Sequence, residues 1–328
     1  MAAPDKFRGS ATAADVAAAA ADGARRATWD CDQIPMSDGG EGLLAVLGGA
    51  NRSTTVTGPL RAPVDAAWRL DGTTAVIESA EACGLALAGG PEANDPLGAT
   101  TAGVGELLTA ALDAGARRVV VGLGGTATTD GGLGCIRAGP PRARFSGVDL
   151  IVACDVDTRF VDAASVFAAQ KGASPSQVTF LSRRLESLVQ TYVETTGADV
   201  SAIPGAGAAG GLGGALATVG GRLVSGTDAV AEALDLDDRL DAADAAVTGE
   251  GYLDAQSFAG KVVGGVLDRA SASGCPALVV VGDRDPEIDV PAGVRLVVLS
   301  ETYGLDRAMA EVGQLVTAEV ARFLAALG

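Results

Sequence analysis

Arg118-Val-Val-Val121, running directly into Gly122-Leu-Gly-Gly-Thr-Ala-Thr-Thr-Asp130-Gly-Gly-Leu-Gly134, is the stretch on which the fold is decided. The valines read as a short apolar strand, and the glycines that follow let backbone approach a ligand closely. Upstream, the spacing predicts a helix over 101–114 stopped by Gly115. Downstream, Leu150 to Ala153 reads as another strand, ending at Cys154-Asp155. Short apolar strands alternating with alanine-rich helices predict an α/β protein.

The same style holds at both ends of the chain. Ala2-Ala3-Pro4-Asp5 reads as the stub of a first strand, and Thr12 caps a helix over 13–26, with Asp15 completing a capping box. Cys31 to Met36 reads as a second strand, leading through Ser37-Asp38-Gly39-Gly40-Glu41-Gly42 into a helix that ends near Gly48. Far downstream come strands at 245–248, 277–281 and 294–299, a helix to about Ala272 and a closing helix over 305–327. Five strands from the two chain ends predict a doubly wound sheet formed by residues 1–55 and 236–328, with 56–235 as an inserted second α/β domain. Within the insert, 175–196 reads as a helix with Leu181, Leu185, Leu188 and Tyr192 on one face, and 137–147 as a loop.

Composition narrows the chemistry. The 328 residues carry a formal charge of −17, which makes nucleic acid and anionic membrane poor partners. No apolar run approaches the roughly 20 residues of a bilayer span, and the first residues lack a signal peptide's pattern, so a cytoplasmic location is expected. There is no histidine, which removes Ser-His-Asp and Cys-His catalysis and histidine metal ligation. Five dispersed cysteines without a CxxC pair read as reduced core residues. Arginine supplies 21 of the 24 cations, and the three lysines, Lys6, Lys171 and Lys261, all fall in loop segments bearing glycine or aspartate. A compact ammonium is suited to a phosphate group.

Two runs match a dinucleotide fingerprint: Gly122-Leu-Gly-Gly-Thr-Ala127 and Gly205-Ala-Gly-Ala-Ala-Gly210. Neither leads to a strand ending in an acid about 20 residues on, as ribose recognition requires. For the second run, tight packing competes with ligand contact. The segment Ala255-Gln-Ser-Phe-Ala-Gly-Lys261 lacks the residues of a Walker loop. Acids recur beside glycines at Asp5, Asp38, Glu41, Asp130, Asp155, Glu250 and Asp254. Helix capping explains such acids in part, and Asp38 and Glu41 are spaced for it. Phosphoryl transfer explains them otherwise, since it needs carboxylates for Mg²⁺ and for the attacking hydroxyl's proton, together with cations such as Lys171, Lys261 and Arg8.

Six segments in order resemble the signatures of the type I glycerate kinases. They are Pro4-Asp-Lys-Phe-Arg-Gly-Ser10, Pro35-Met-Ser-Asp-Gly-Gly-Glu-Gly42, the 122–134 loop, Val166-Phe-Ala-Ala-Gln-Lys-Gly-Ala173, Pro204-Gly-Ala-Gly-Ala-Ala-Gly-Gly211 and Thr248-Gly-Glu-Gly-Tyr-Leu-Asp-Ala-Gln-Ser257 with Gly260-Lys261. The resemblance implies a flavodoxin-like domain with an inserted second domain, a cleft between them, ATP and Mg²⁺ as cofactors, and conversion of D-glycerate to 2-phosphoglycerate. It also implies a small-molecule enzyme, monomeric or homodimeric. On this reading Asp254, Asp130, Lys171 and Lys261 are the catalytic candidates. Gly124, Gly125, Thr126, Gly131, Gly132, Gly205, Gly207 and Gly210 would contact the nucleotide, and Asp5, Lys6, Arg8, Asp38 and Glu41 the substrate. Glu250 and Asp155 would hold the metal, with the choice of base among the acids left open. Departures from the family pattern stand at Arg8, Thr129 and Tyr252, in Asp155-Val-Asp-Thr-Arg159 and in a short 135–147 connection. A nicotinamide-dependent dehydrogenase and a non-catalytic glycerate or nucleotide sensor are the alternatives.

Overall fold

The computed structural model describes residues 1–328 apart from Ala259 and Asp289, so Ala259, in the segment compared with a Walker loop, lies outside the described residues. Contacts divide the chain into two compact units, Gly39–Gly226 and Met1–Asp38 with Thr227–Gly328.

The unit Gly39–Gly226 is built on a six-stranded mixed sheet. Its strands, side by side in chain order, are β1 (Arg52–Thr57), β2 (Pro63–Asp71), β3 (Thr74–Glu78), β4 (Arg118–Gly122), β5 (Asp149–Cys154) and β6 (Arg222–Ser225). The first two pairings are antiparallel and the remaining three parallel. Asp71 pairs with Thr74 across a two-residue turn in which Gly72 takes φ +54°. Glycine at the first of the two turn positions suits a hairpin, and the reading of the sequence did not predict this antiparallel edge. The helix Ala102–Asp113 buries Val104, Leu107, Leu108 and Ala111 in a core shared with Val119 and Val121 of β4. Each of the valine and leucine side chains contributes about 1.5–3 kcal/mol when fully buried.

A second core forms around Phe160, under the helix Pro175–Thr196. This helix starts where expected because Ser174 and Gln177 form a capping box around its first residue, Pro175, and it stops at Gly197, whose φ is +75°. Its buried face carries Leu181, Leu185, Leu188 and Tyr192, as the spacing predicts. The segment read as a loop over 137–147 is not irregular throughout. It takes in the end of a helix (Leu133–Ala138) and a 3₁₀ turn (Arg142–Phe145) pinned by buried Phe145.

The other unit has a parallel sheet of β7 (Ala246–Leu253), β8 (Ala277–Arg284) and β9 (Arg295–Val298). Five strands were expected; two of them are extended segments joined by isolated bridges. Ala2 donates to Asp32 O (2.8 Å) and accepts from Ile34 N (2.8 Å), while Ala3 donates to Val247 O (2.8 Å) and Asp5 to Gly249 O (2.9 Å). Proline explains the interruption: Pro4 stands where the next donor towards residue 34 belongs, and it has no N–H. The spatial order is therefore 31–36, 2–5, β7, β8, β9. The helix Ala13–Arg26 has the expected Thr12/Asp15 capping box. Gly23 lets it lie against the helix Val312–Ala325, since a Cβ there would meet Thr317 O at 2.6 Å. The closing helix is two, Leu305–Ala310 and Val312–Ala325, parted at Glu311 (φ −120°, ψ 22°). All five cysteines are free thiols. Among the described residues no helix is long and apolar enough to cross a membrane.

Candidate active site

Beyond β4 the glycine-rich loop forms one wall of a cavity of about 330 Å³ in the unit Gly39–Gly226. Gly124, Gly125, Thr126, Asp155 and Lys171 all face it, together with Ala209. Ala209 is held at φ +52°, ψ +39°, a left-handed conformation that costs a non-glycine residue about 1–2 kcal/mol. Strain of this kind persists only where surrounding contacts impose it, and it gathers at functional sites.

Lys171 is almost wholly buried, and its Nζ donates to Thr128 O (2.6 Å) and approaches Thr126 Oγ1 (3.2 Å). Burial pulls its pKa down to about 8, opposed by the nearby Cys83 and Asp130. A cation desolvated this far and still within a polar loop is matched to an anion entering the cavity.

Asp130 does not line the cavity. Its carboxylate accepts from Thr101 N (3.0 Å), Thr101 Oγ1 (3.0 Å), Gly132 N (3.0 Å) and Gly134 N (3.1 Å), and so ties the end of the loop to the start of the helix Ala102–Asp113. Gly131 and Gly132 do not line the cavity: a Cβ at Gly131 would meet Leu188 Cδ1 at 2.6 Å, and one at Gly132 would meet Ala215 Cβ at 2.2 Å. The second glycine run packs likewise. It follows no strand, Gly207 donates to Thr158 O (2.8 Å), and Gly205 abuts Cys154. At Gly210, with φ +69°, a Cβ would fall 2.1 Å from Thr128 O. The fingerprint at 205–210 is thus a close backbone crossing, with Ala208 and Ala209 rather than its glycines at the cavity.

The unit holding both chain termini gathers a second set of charged groups. Lys6 Nζ lies 3.7 Å from Asp5 Oδ1 and 3.9 Å from Asp38 Oδ1, and both acids are buried. Burial raises the Asp5 pKa, Lys6 lowers it and Asp38 raises it again. Glu250, on β7, is pushed up to about 7, chiefly by burial; Ser257 and Lys261 oppose the shift, while Asp5 and Asp254 add to it. Its Oε1 is buried and has no hydrogen-bond partner. Asp254 is occupied locally: its Oδ1 accepts from Gln256 N (2.8 Å) and Ser257 N (3.1 Å), shaping the 3₁₀ turn Ala255–Phe258. Lys261 is the extended residue that starts the helix Val262–Ala272. Arg8 and Glu41 are exposed.

Glu41 and Asp38 do not form a capping box, because the helix after them (Leu43–Val46) starts at Gly42. The acid that serves this turn is Glu78, at the end of β3, which accepts from Gly42 N (3.2 Å) and Leu44 N (2.6 Å). Its partners are 34 and 36 residues away, so no local pattern marks it.

Among the described residues no three carboxylate or thiol side chains converge on a point fit for a metal ion. Mg²⁺ is commonly held by one or two carboxylates with phosphate and water supplying the rest. Asp155, beside Thr126 and Lys171 in the cavity, fits that pattern.

A family model described as the glycerate kinase family matches residues 1–139 and 140–327. An uncharacterised protein of Mycobacterium bovis is 44% identical over 297 residues, covering 86% of this chain and 78% of that one. Glycerate 2-kinase of Escherichia coli K12 is 36% identical over 328 residues, covering 88% and 86%. A crystal structure of a protein provisionally named glycerate kinase 2, from Salmonella typhimurium LT2, aligns with a TM-score of 0.84 at 32% identity, over 99% of this chain and 97% of that one. With matches that run nearly end to end, the chain belongs to the glycerate kinase family of enzymes.

Proposed function

We propose that this enzyme transfers the γ-phosphoryl group of ATP to D-glycerate, giving 2-phosphoglycerate. The observation that carries the reading is the buried Lys171 ammonium, held at Thr128 O within a glycine-walled cavity. Backbone N–H groups and a desolvated cation are what a polyphosphate requires. Gly124, Gly125 and Thr126 bind and orient the phosphates beside Lys171. Asp155 would hold Mg²⁺, which when bound neutralises charge on the phosphate oxygens.

The terminal unit supplies the acceptor chemistry. Lys6, kept between Asp5 and Asp38, binds the glycerate carboxylate with Arg8 and Lys261 as further cations. Glu250, expected among the metal ligands, is better suited as the base, because its unsatisfied Oε1 and its pKa near 7 fit it to take the proton of the attacking hydroxyl. Asp254 shapes the turn that follows Glu250, and Asp130 anchors the glycine loop. The strand order 31–36, 2–5, β7, β8, β9 supports a flavodoxin-like description of this unit, with residues of the central chain as an inserted domain.

A coupled assay with D-glycerate, ATP and Mg²⁺, with the product identified by phosphorus NMR, tests the proposal. Release of ADP with the phosphoryl group on the 2-hydroxyl is the expected result. Absence of ADP release with glycerate would overturn it.

A further inference from the structure

The loop after β4 is gripped from behind by side chains, and apart from Lys171 none of them has a part in the reaction proposed above. Four of its carbonyl oxygens accept from four separate side chains. Ala127 O accepts from Asn94 Nδ2 (3.0 Å), Thr128 O from Lys171 Nζ (2.6 Å), Thr129 O from an Arg184 terminal nitrogen (2.6 Å) and Gly131 O from the Tyr192 hydroxyl (2.7 Å). Arg184 and Tyr192 stand on the helix Pro175–Thr196, spaced by about two turns, and so project from one face. Leu188, between them, packs where a Cβ at Gly131 would meet its Cδ1 at 2.6 Å. The helix therefore lies along the loop as a splint.

Two of these side chains also reach past the loop. Arg184 donates to Leu97 O (2.9 Å), and Asn94 Nδ2 donates to the backbone carbonyl of Lys171 (2.8 Å). In a planar trans peptide the C=O and the next N–H point in opposite directions. Anchoring the carbonyls of residues 127, 128 and 129 therefore fixes the directions of the amides at 128, 129 and 130 as well. A loop with this glycine content would otherwise sample many conformations, and ordering each residue costs on the order of 1–2 kcal/mol.

We infer that Arg184 and Tyr192 are positioning residues for catalysis: they hold the segment 127–131 so that Gly124–Thr126 and the Lys171 ammonium are set in place before nucleotide arrives. This inference rests on the nucleotide role given above to the 124–126 wall. Neither residue touches the cavity, so their effect reaches the substrate only through the loop.

Arg184→Met, Arg184→Lys and Tyr192→Phe test it, with melting temperature, ATP binding by calorimetry and full kinetics in both substrates. Losing one such bond should raise the ATP Kd and KM roughly 10-fold or more, while the glycerate KM stays within about twofold. Arg184→Lys should recover part of the loss, because an ammonium can still reach Thr129 O but not Leu97 O as well. A residue that only stabilises the fold would lower the melting temperature and leave the ATP constants unchanged. That pattern in Arg184→Met and Tyr192→Phe would overturn the inference. Should Arg184→Met fail to fold, Tyr192→Phe decides, since it removes a single oxygen. Wild-type enzyme that neither binds ATP nor phosphorylates glycerate would sink the proposed function and this inference together. An active wild type with unchanged variants would sink the inference alone.

Discussion

The Lys171 ammonium sits 2.6 Å from the carbonyl oxygen of Thr128, 43 residues away in sequence, and this bond joins the cavity's cation to the loop that forms its wall. The charge is buried at a cost, which its depressed pKa records. Function and pH are therefore linked at this residue.

Lys171 loses its proton near pH 8 in the folded enzyme and near 10.5 when unfolded. The unfolded chain thus binds more protons across that window, so this group's burial penalty is complete below pH 8 and fades as pH rises towards 10.5. Activity should move the other way. The pH–rate profile is expected to fall through an alkaline limb with a midpoint near 8. Lys171→Arg should shift that limb upward, because guanidinium keeps its charge, whatever the cost to the rate. A limb at the same pH in the variant would detach it from Lys171.

Glu250 offers the mirror case. Its pKa rises from 4.5 to about 7 on folding, so the native state keeps a proton that the unfolded state has lost. Stability from this group falls as pH climbs from 4.5 to 7, and the penalty is complete above 7. Glu250→Gln should be more stable than wild type at pH 8 by up to about 3 kcal/mol, with the difference closing near pH 4.5. Turnover should drop roughly 100-fold or more if the carboxylate takes the hydroxyl proton. Urea titrations at both pH values and steady-state rates check the two halves separately.

Gly210→Ala should be costly. The new methyl would meet Thr128 O at 2.1 Å, at a φ of +69°. Left-handed strain and overpacking together predict a loss of about 2–5 kcal/mol. Gly220→Ala supplies the control: φ is +101° there, but nothing lies within 4 Å, so only the backbone cost remains. Chemical denaturation of the pair separates the crowding from the conformational term.

Thr101→Val keeps the shape and deletes the hydroxyl that donates to Asp130 and accepts from Cys135 N (3.0 Å). Leaving these buried groups short of partners should cost about 1–3 kcal/mol. A melting temperature equal to wild type would show that Asp130 is satisfied without it.

Local chemistry made several elements readable from the sequence. The capping box at Thr12/Asp15 marks the start of one helix, and the apolar spacing of Leu181, Leu185, Leu188 and Tyr192 marks the buried face of another. What stayed hidden depends on distance in the chain. Glu78 is tied to residues 42 and 44, and Arg184 to Thr129, 55 positions away; neither bond leaves a local trace. The fingerprint at 205–210 misleads because close backbone contact and phosphate contact ask for the same residue, glycine. The hairpin turning at Gly72-Thr73 has only a single glycine as its local mark. At the cavity, Gly124, Gly125, Thr126, Asp155 and Lys171 could be named in advance, because glycine loops and isolated lysines are chemically conspicuous.

The helix Ala13–Arg26 finds its packing partner nearly 300 residues later, where Gly23 meets Thr317. On a ribosome adding about 5–20 residues per second, that early helix waits for the last part of the chain before its alanine face is covered. The continuous stretch 39–226 has no such delay, since all its strands emerge before residue 227. Synthesis thus delivers every strand of 39–226 well before the partner that covers the helix at 13–26.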